Sequence, residues 1–145
     1  MTADLRFRPV TEADFEAVLD LSVRTMREHL ERIGRFDPAR RRARMRAHFE
    51  AGGLLAIERD GALVASAGVD EAGDTLELHS LYIEPALQGL GLGAAIVAAL
   101  RARHPGRAWR IEVLKDSPAR RFWERHGFAV TGEGPFDWLM ERPAD

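Results

Sequence analysis

The sequence predicts an α+β fold built on a mostly antiparallel sheet. Seven segments have the alternating or apolar character of strands, and four segments carry the apolar spacing or the capping residues of helices. Three of the strand-like segments follow one another with only hairpin turns between them, which favours antiparallel pairing. The 145 residues are 46% hydrophobic, which is enough for the core of one domain spanning residues 1–145.

The chain opens with a predicted strand and two predicted helices. Leu5–Val10 alternates apolar and charged residues, and Thr11–Asp14 then offers a hydroxyl N-cap with a carboxylate three residues later. The helix that begins there is expected to end at Gly34, and a second, more exposed helix is expected over residues 37–51, which open on an Asp-Pro cap. The first helix is predicted to turn one apolar face to the core, made of Phe15, Val18, Leu19, Ser22, Met26, Leu30 and Ile33.

Three strands in series are expected next, over residues 54–59, 62–70 and 75–83, with turn signals at Asp60-Gly61 and Glu71–Asp74. The later elements are a helix over residues 92–104, a strand over residues 108–114, a helix opened by Ser117-Pro118 and closed by Gly127, and a final hairpin formed by residues 128–131 and 138–141.

Composition excludes several kinds of function. The chain has no cysteine, which removes disulfides, thiolate metal sites and a cysteine nucleophile. Its 21 basic and 23 acidic residues nearly cancel, so no nucleic-acid partner is expected. No apolar segment is long enough to cross a membrane, and the N-terminus lacks the apolar core of a signal peptide. A cytoplasmic protein with no membrane partner is therefore expected.

A glycine-rich loop, Gln88–Gly93, stands between a predicted strand and a predicted helix. Backbone N–H groups at a helix N-terminus favour a phosphate, and glycine lets the anion approach closely. The alternative is that the glycines serve tight packing alone. A dinucleotide-binding loop would follow the first strand of the fold, and a nucleoside-triphosphate loop needs Lys-Ser or Lys-Thr where this chain has Ala94-Ala95. Both of those phosphate sites are disfavoured.

Two motifs resemble those of a known family. Leu81–Gly93 reads LYIEPALQGLGLG and is similar to the central motif of the GNAT superfamily of N-acetyltransferases, including its Gln/Arg-x-x-Gly-x-Gly core. Val113–Phe128 ends in FWERHGF and resembles the strand and helix that usually end Phe-Tyr-Glu-x-x-Gly-Phe in that family. The order of elements from Leu5 to Met140 also fits the family.

The resemblance implies an α/β/α-type fold, with a central mixed sheet of about six to seven strands, helices on both faces and splayed strands at an acetyl-CoA site. It implies no metal. In such enzymes the strand before the loop bends at a bulge and offers backbone groups to the pantetheine arm, while the loop binds the pyrophosphate. By this resemblance the pantetheine contacts fall on Leu81, Tyr82 and Ile83, and the pyrophosphate contacts on Gln88, Gly89, Leu90, Gly91, Leu92, Gly93 and Ala94.

Acetyl transfer to an amine requires a base, because only a neutral amine is nucleophilic. Glu77 and His79 precede Leu81 by four and two residues, so regular alternation predicts all three side chains on one face of the strand. Some family members carry bases at both positions. Glu112, five residues before Ser117, is a third candidate by the same resemblance. For each of the three, solvent exposure or a structural hydrogen bond is the alternative role.

Two positions depart from the family pattern. Family members commonly place a tyrosine at the Trp123 position, where its hydroxyl protonates the departing thiolate, and often have asparagine in place of Ser117. An indole N–H is not a usable acid, so Trp123 is expected to pack against the cofactor or hydrogen-bond to it without giving it a proton. Ser117 is interpreted first as a helix N-cap and second as a cofactor ligand.

The resemblance therefore predicts transfer of an acetyl group from acetyl-CoA to a primary amine of a small molecule or peptide, by direct attack in a ternary complex. The alternative is a non-catalytic module that binds CoA or acyl-CoA as a sensor or interaction domain, which the two departures motivate. The acceptor amine and the oligomeric state stay open, a homodimer being common among such enzymes. The arginines at positions 40, 41, 42, 44 and 46 are interpreted as a solvated helix face, with an anionic acceptor or nucleic acid as the alternative.

Overall fold

The computed structural model describes residues 4–145, and within them the chain forms seven strands and four α-helices in the predicted order. The strands are β1 (Leu5–Pro9), β2 (Leu54–Arg59), β3 (Ala62–Ala72), β4 (Thr75–Ile83), β5 (Ala108–Leu114), β6 (Ala129–Glu133) and β7 (Asp137–Arg142). The helices are α1 (Phe15–Arg32), α2 (Pro38–Ala51), α3 (Leu92–Arg103) and α4 (Ala119–Arg125). No helix in this part of the chain has both the length and the apolar composition needed to cross a membrane.

The strands follow the order β1-β2-β3-β4-β5-β7-β6 in the sheet. Pairing is antiparallel between β1 and β2, β2 and β3, β5 and β7, and β6 and β7, whereas β4 and β5 run parallel. The parallel step is where the chain crosses over through α3, since a parallel connection needs a crossover longer than a hairpin. The predicted mixed, mostly antiparallel sheet of six to seven strands is confirmed.

The ends of α1 follow the predicted capping signals. A short 3₁₀ turn, Glu12–Asp14, precedes the helix, and the Asp14 carboxylate accepts a hydrogen bond from the Thr11 N–H at 2.8 Å. Gly34 has a left-handed φ of +69°, and the Arg35 N–H donates to the Leu30 carbonyl at 2.8 Å. This closing pattern needs a residue that tolerates positive φ, which explains why the helix stops at a glycine.

The second helix is the exposed one that its composition predicts. The Asp37 carboxylate caps it by accepting from the Arg40 N–H at 3.1 Å, and Met45 is the buried residue of the helix. Arg42 and Arg46 form ion pairs with Glu16 and Glu12 at 2.6 Å each. The predicted solvated face is thus correct for these two arginines, which are paired with acids at the surface.

Several predicted boundaries are wrong by one or two residues, including the ends of β1, α3, β6 and β7. Helix α4 begins at Ala119 rather than Pro118, although the Ser117 hydroxyl still accepts from the Ala119 N–H at 3.1 Å. Strand β3 continues to Ala72 instead of ending at Asp70, because the hairpin closes with the tighter turn Gly73-Asp74.

Contacts between backbone positions divide the chain into two units. Unit 1 comprises the chain up to Gly68 together with Ser80–Ala95. Its core is an apolar cluster contributed by Val10, directly after β1, and by β2, α1 and α2, and Tyr82 packs against it. The buried members of this cluster are Val10, Phe15, Val18, Leu19, Met45, Leu54 and Ala56. The leading half of the face predicted for α1 is therefore buried, whereas Met26, Leu30 and Ile33 are only half-buried.

Unit 2 comprises Val69–His79 and Ile96–Asp145. Its buried residues alternate along β5, where Trp109, Ile111 and Val113 are covered and the residues between them are more exposed. Trp123 and Phe128 belong to the same unit and meet edge to face, with ring centroids 5.2 Å apart. Unit 2 thus has its own aromatic-rich core.

Candidate functional site

Strand β4 is interrupted by a left-handed residue, Ser80, with φ +55°. A non-glycine residue pays about 1–2 kcal/mol for this conformation, so it persists only where its surroundings hold it. Here the fully buried Ser66 donates its hydroxyl to the Ser80 carbonyl at 2.8 Å. A left-handed residue inside a strand breaks its regular geometry, so we interpret Ser80 as the bulge expected before the glycine loop.

The bulge corrects one step of the sequence argument. Regular alternation predicts Glu77, His79 and Leu81 on one face of β4, but that argument holds only for an unbroken strand. Glu77 and His79 do alternate with the buried Leu76 and Leu78. The alternation of buried and less buried side chains ends at Ser80. It therefore does not place the Leu81 side chain on the same face as Glu77 and His79.

In unit 1, the segment after β4 turns back on the strand. Pro85–Leu87 forms a 3₁₀ turn, and the Gln88 side-chain amide donates to the Ile83 carbonyl at 3.0 Å. The Gly91 carbonyl accepts from the Ala95 N–H at 3.2 Å, which makes Gly91 the residue that opens α3. The structure thus brings the predicted residues Leu81–Ile83 and Gln88–Ala94 together in one strand, turn and helix start.

Two of the three glycines of this loop are required by backbone conformation and not by packing. Gly89 and Gly91 have φ values of +80° and +85°, which L side chains rarely adopt. A Cβ atom added at either position would meet no other atom within 4 Å. The packing alternative is therefore disfavoured, and the space over both glycines is open to a ligand. Leu90, between them, is 68% exposed.

The loop ends at a helix N-terminus with the electrostatics of an anion site. The N–H groups of Leu92, Gly93 and Ala94 lie in the first turn of α3, where N–H groups lack partners within the helix. No acidic residue occupies that first turn to compete for the partial positive charge. These residues fit a diphosphate held by backbone donors, which is the group that a CoA cofactor would present.

In unit 2, the structure distinguishes the three candidate bases. His79 is only 11% exposed in its side chain, and its Nε2 lies 3.1 Å from the Asp70 carboxylate. Glu77 is bound by the Arg110 guanidinium, whose Nε donates to it at 3.1 Å. Glu112 is exposed on β5, opposite Leu139 of β7. Of the three, a largely covered imidazole next to a carboxylate is the arrangement best suited to accept a proton.

Strands β4 and β5 pair over a short stretch only. In unit 2, the paired residues are Thr75–Glu77 and Ala108–Arg110, and β5 then continues to Leu114 with β7 as its partner. Within this unit β4 runs two residues further, to His79, without a ladder partner in β5. His79 therefore lies just past the end of the parallel pairing.

The two residues that depart from the family pattern both have structural roles in unit 2. The Ser117 hydroxyl accepts from the Ala119 N–H just before α4, but the N-cap position is Pro118 and not Ser117 as predicted. Trp123 is 4% exposed and packs between Phe122 and Phe128, with centroid distances of 5.0 and 5.2 Å. Neighbouring His126 has its pKa lowered, first by burial and then by nearby arginines, so its neutral form is favoured.

Sequence reasoning missed the partners of these side chains. Asp70 and Arg110 contact the candidate bases His79 and Glu77 from neighbouring strands, and Ser66 contacts Ser80, which precedes the candidate Leu81. None of the three stands in a motif. The sequence signal for a contact between β3 and β4 was the hairpin turn that joins them, because such a turn brings the end of one strand close to the start of the next.

Comparisons with known proteins identify the family and the fold. Residues 15–128 match the model of the Acetyltransferase (GNAT) family. The fold is similar to that of a GNAT-family acetyltransferase from Streptococcus agalactiae, with a TM-score of 0.81, 14% identity and coverage of 97% of this chain and 96% of that one. No curated protein sequence matches the chain.

Two archaeal structures are similar over almost the same length. One is the PaiA N-acetyltransferase from Thermoplasma acidophilum in complex with coenzyme A, with a TM-score of 0.75, 16% identity and coverage of 96% of this chain and 98% of that one. The other is Ard1 from Thermoplasma volcanium, with a TM-score of 0.74, 18% identity and 99% coverage of both chains. At these identities the likeness shows the fold.

Proposed function

The chain belongs to the GNAT family of acetyltransferases, and from that membership we propose that it transfers an acetyl group from acetyl-CoA to a primary amine in a ternary complex. The observation that carries the proposal is the open glycine loop at the start of α3, with left-handed Gly89 and Gly91 and no acid in the first helical turn. A similar fold is known in complex with coenzyme A, which supports this choice of cofactor.

Unit 1 supplies the cofactor contacts in this proposal. The backbone of Leu81, Tyr82 and Ile83, released from regular pairing by the bulge at Ser80, hydrogen-bonds the pantetheine arm. The N–H groups from Gln88 to Ala94 hold the diphosphate. Acetyl-CoA supplies a thioester carbonyl that an amine attacks, so that a C–N bond forms while the C–S bond breaks.

Unit 2 supplies the base. His79 takes the proton that the amine nitrogen loses, directly or through water, while Asp70 holds the imidazole ring and stabilises the imidazolium that forms. Glu77 is the second choice, because the Arg110 guanidinium already occupies one of its oxygens. Glu112 is third, because its side chain is exposed and forms no hydrogen bond or ion pair with another side chain among residues 4–145. The sequence has no cysteine to form a cysteinyl acyl-enzyme, which favours direct transfer.

The proposal is tested by incubating the purified protein with acetyl-CoA and a panel of primary amines, and measuring thiol release. Release above the rate without amine supports acetyl transfer, and mass spectrometry of the product identifies the acetylated nitrogen. A folded protein, judged by circular dichroism, that releases no thiol with any amine contradicts the catalytic proposal.

A second candidate, a CoA-binding module without catalysis, is favoured by Trp123, whose buried indole has no acidic proton to give a thiolate. Calorimetry that shows CoA binding without turnover supports the module. Trp123→Tyr, with Trp123→Phe as its matched control, then separates the two functions. Both substitutions remove similar volume, but only tyrosine adds a hydroxyl acid, so higher turnover in Trp123→Tyr alone indicates an enzyme that lacks only this acid.

A further inference from the structure

The arginines of α2 do not all have the same surroundings. Arg42 and Arg46 are bound by carboxylates of Glu16 and Glu12. Arg41 instead turns towards β4, where it is half-buried and donates from one terminal nitrogen to the Tyr82 hydroxyl at 2.7 Å. Its guanidinium carbon also lies 5.5 Å from the centre of the Tyr82 ring. Arg41 is therefore a positioned side chain of unit 1.

This guanidinium forms no ion pair within the described part of the chain. Among residues 4–145, no carboxylate oxygen lies within 4.0 Å of Arg41, and its buried Nε has no hydrogen-bond partner. Withdrawing a cation from water without an anion is unfavourable, so proteins rarely keep such an arrangement without a use for it. The unpaired charge of Arg41 therefore indicates a binding site for an anion.

The geometry of the pair defines what that anion would meet. Since the Tyr82 oxygen accepts from Arg41, its own O–H proton is left to donate. Together the two side chains offer guanidinium N–H groups and a phenol O–H, all of them donors. Such a set suits a planar carboxylate, which can accept from an arginine in a bidentate manner, better than it suits a neutral group.

The Tyr82 ring makes the pair rigid. It packs against the apolar cluster of unit 1, and its hydroxyl stands at the rim of that cluster where Arg41 reaches it. The same residue belongs to the backbone segment proposed to bind pantetheine. An anion held here would therefore lie beside the strand that carries the acyl group, and apart in the sequence from the glycine loop proposed for the diphosphate.

We propose that Arg41 and Tyr82 bind an anionic group of the acceptor, so that the amine substrates of this protein carry a carboxylate, as amino acids do. This inference rests on the proposed acetyl transfer. It replaces the solvated-face interpretation for Arg41 alone among the five arginines of α2. Arg41 and Tyr82 act as specificity residues, while the base and the acyl donor are supplied elsewhere.

The kinetic test compares amino acids with their carboxamides, such as glycine with glycinamide and methionine with methioninamide. The carboxylates are expected to be acetylated with higher kcat/KM, and Arg41→Gln is expected to reduce kcat/KM for them about 10- to 100-fold through KM while leaving the carboxamides unchanged. Tyr82→Phe, which keeps the ring, is expected to give a smaller loss. The exposed Arg44→Gln on the same helix is the matched control and should change neither substrate.

A binding test separates this inference from the proposed catalysis. Calorimetry with the CoA-saturated protein compares N-acetylglycine with N-methylacetamide, and it requires no turnover. Binding of N-acetylglycine that Arg41→Gln weakens supports the anion site even when no amine is acetylated. Turnover that is equal for carboxylates and carboxamides and indifferent to Arg41→Gln overturns the anion site and leaves acetyl transfer standing.

Two further comparisons identify the source of the anion. O-Phosphoethanolamine tested against ethanolamine shows whether an acceptor phosphate is preferred to a carboxylate, and such a preference overturns the carboxylate assignment. If Arg41→Gln weakens binding of CoA but not of 3′-dephospho-CoA, the anion belongs to the cofactor and the inference is wrong. If the Arg41→Gln variant does not fold, Arg41→Lys, which keeps the charge, replaces it. A partial loss of kcat/KM that is restricted to the carboxylate substrates then supports the anion site.

Discussion

Among the three candidate bases, His79 has an imidazole that is nearly covered and lies 3.1 Å from the Asp70 carboxylate. A carboxylate next to a histidine fixes the orientation of the ring and stabilises its protonated form, which is the form produced when a base accepts a proton. Glu77, two residues earlier on the same strand, has a guanidinium as its neighbour and is ion-paired. The neighbours of the two side chains, and not their positions on β4, are what distinguish them as bases.

Replacing His79 by glutamine is expected to lower kcat by about 10²-fold or more, because a positioned general base contributes a factor of that order. The KM for acetyl-CoA should stay within a few-fold of the original value, since His79 is not among the proposed cofactor contacts. Steady-state kinetics with a saturating amine measures both constants. Glu112→Gln serves as the control on an exposed carboxylate, and a larger fall in kcat there than in His79→Gln would reverse the assignment.

The partners of these residues mark the limit of what could be predicted from the sequence. Asp70 with His79 and Arg41 with Tyr82 are contacts between separate elements, 9 and 41 positions apart. Periodicity places a residue on a face of its own strand or helix but does not say which side chain of another element it meets. The bulge at Ser80 was equally hidden from local patterns, because it depends on a hydrogen bond from the buried Ser66. The bulge is predicted by the resemblance of the glycine motif to the family motif, and not by the composition of the glycine motif.

Elements with a cap at each end were predictable, because the signals are local. Helix α2 begins after Asp37 and ends before left-handed Gly52, and its predicted bounds are confirmed. The bounds of β5 are also as predicted. Both Ser117 and Pro118 are common at helix starts, so the sequence predicts the start of α4 one residue before the residue that first adopts helical geometry in the structure.

The glycine loop gives a prediction at the scale of an element. Gly91→Ala introduces a Cβ that meets no protein atom, so the folded protein bears only the cost of a left-handed alanine, about 1 kcal/mol. The same methyl group enters the open space where a diphosphate would approach the first turn of α3. We expect CoA affinity to fall at least about tenfold, a loss of about 1.4 kcal/mol in binding, while the fold persists.

Calorimetric titration of CoA into Gly91→Ala measures this loss, and circular dichroism confirms the fold. Gly34→Ala is the matched control, because Gly34 is also left-handed with open space around it but ends α1, far along the chain from the loop. Equal CoA affinity in Gly91→Ala and the unaltered protein would contradict a diphosphate site at this helix start.

The start of α1 gives a pH-dependent prediction. Hydrogen bonds from the Arg8 guanidinium at 2.6 and 2.8 Å, joined by those from Thr11, hold the pKa of Asp14 well below its usual range. A carboxylate with a depressed folded-state pKa stabilises the fold above its unfolded pKa, near ~3.9, and this stabilisation is lost as pH falls towards the folded value. Arg8→Gln should therefore destabilise the protein at pH 7, by an amount that shrinks below about pH 4.

Urea unfolding of Arg8→Gln and of the unaltered protein between pH 3 and pH 7 follows this difference directly. Arg6→Gln is the control, since Arg6 is exposed on the same strand. A difference in unfolding free energy that stays constant across this range would mean that Arg8 stabilises the fold by packing rather than through the ionised Asp14.

For the molecule as a whole, binding of CoA should raise thermal stability, because a ligand that binds only the folded chain stabilises it by RT ln(1 + [L]/Kd). At 100 times the dissociation constant this amounts to about 2.7 kcal/mol. For a chain of 145 residues, such a gain corresponds to roughly 5–10 °C in Tm. Differential scanning calorimetry over a range of CoA concentrations should show Tm rising with the logarithm of concentration. Gly91→Ala should need at least about ten times more CoA for the same rise. If the Tm does not change with CoA, or if it rises equally in both proteins, CoA does not bind at the glycine loop. The observation that carries the proposed acetyl transfer would then no longer support it.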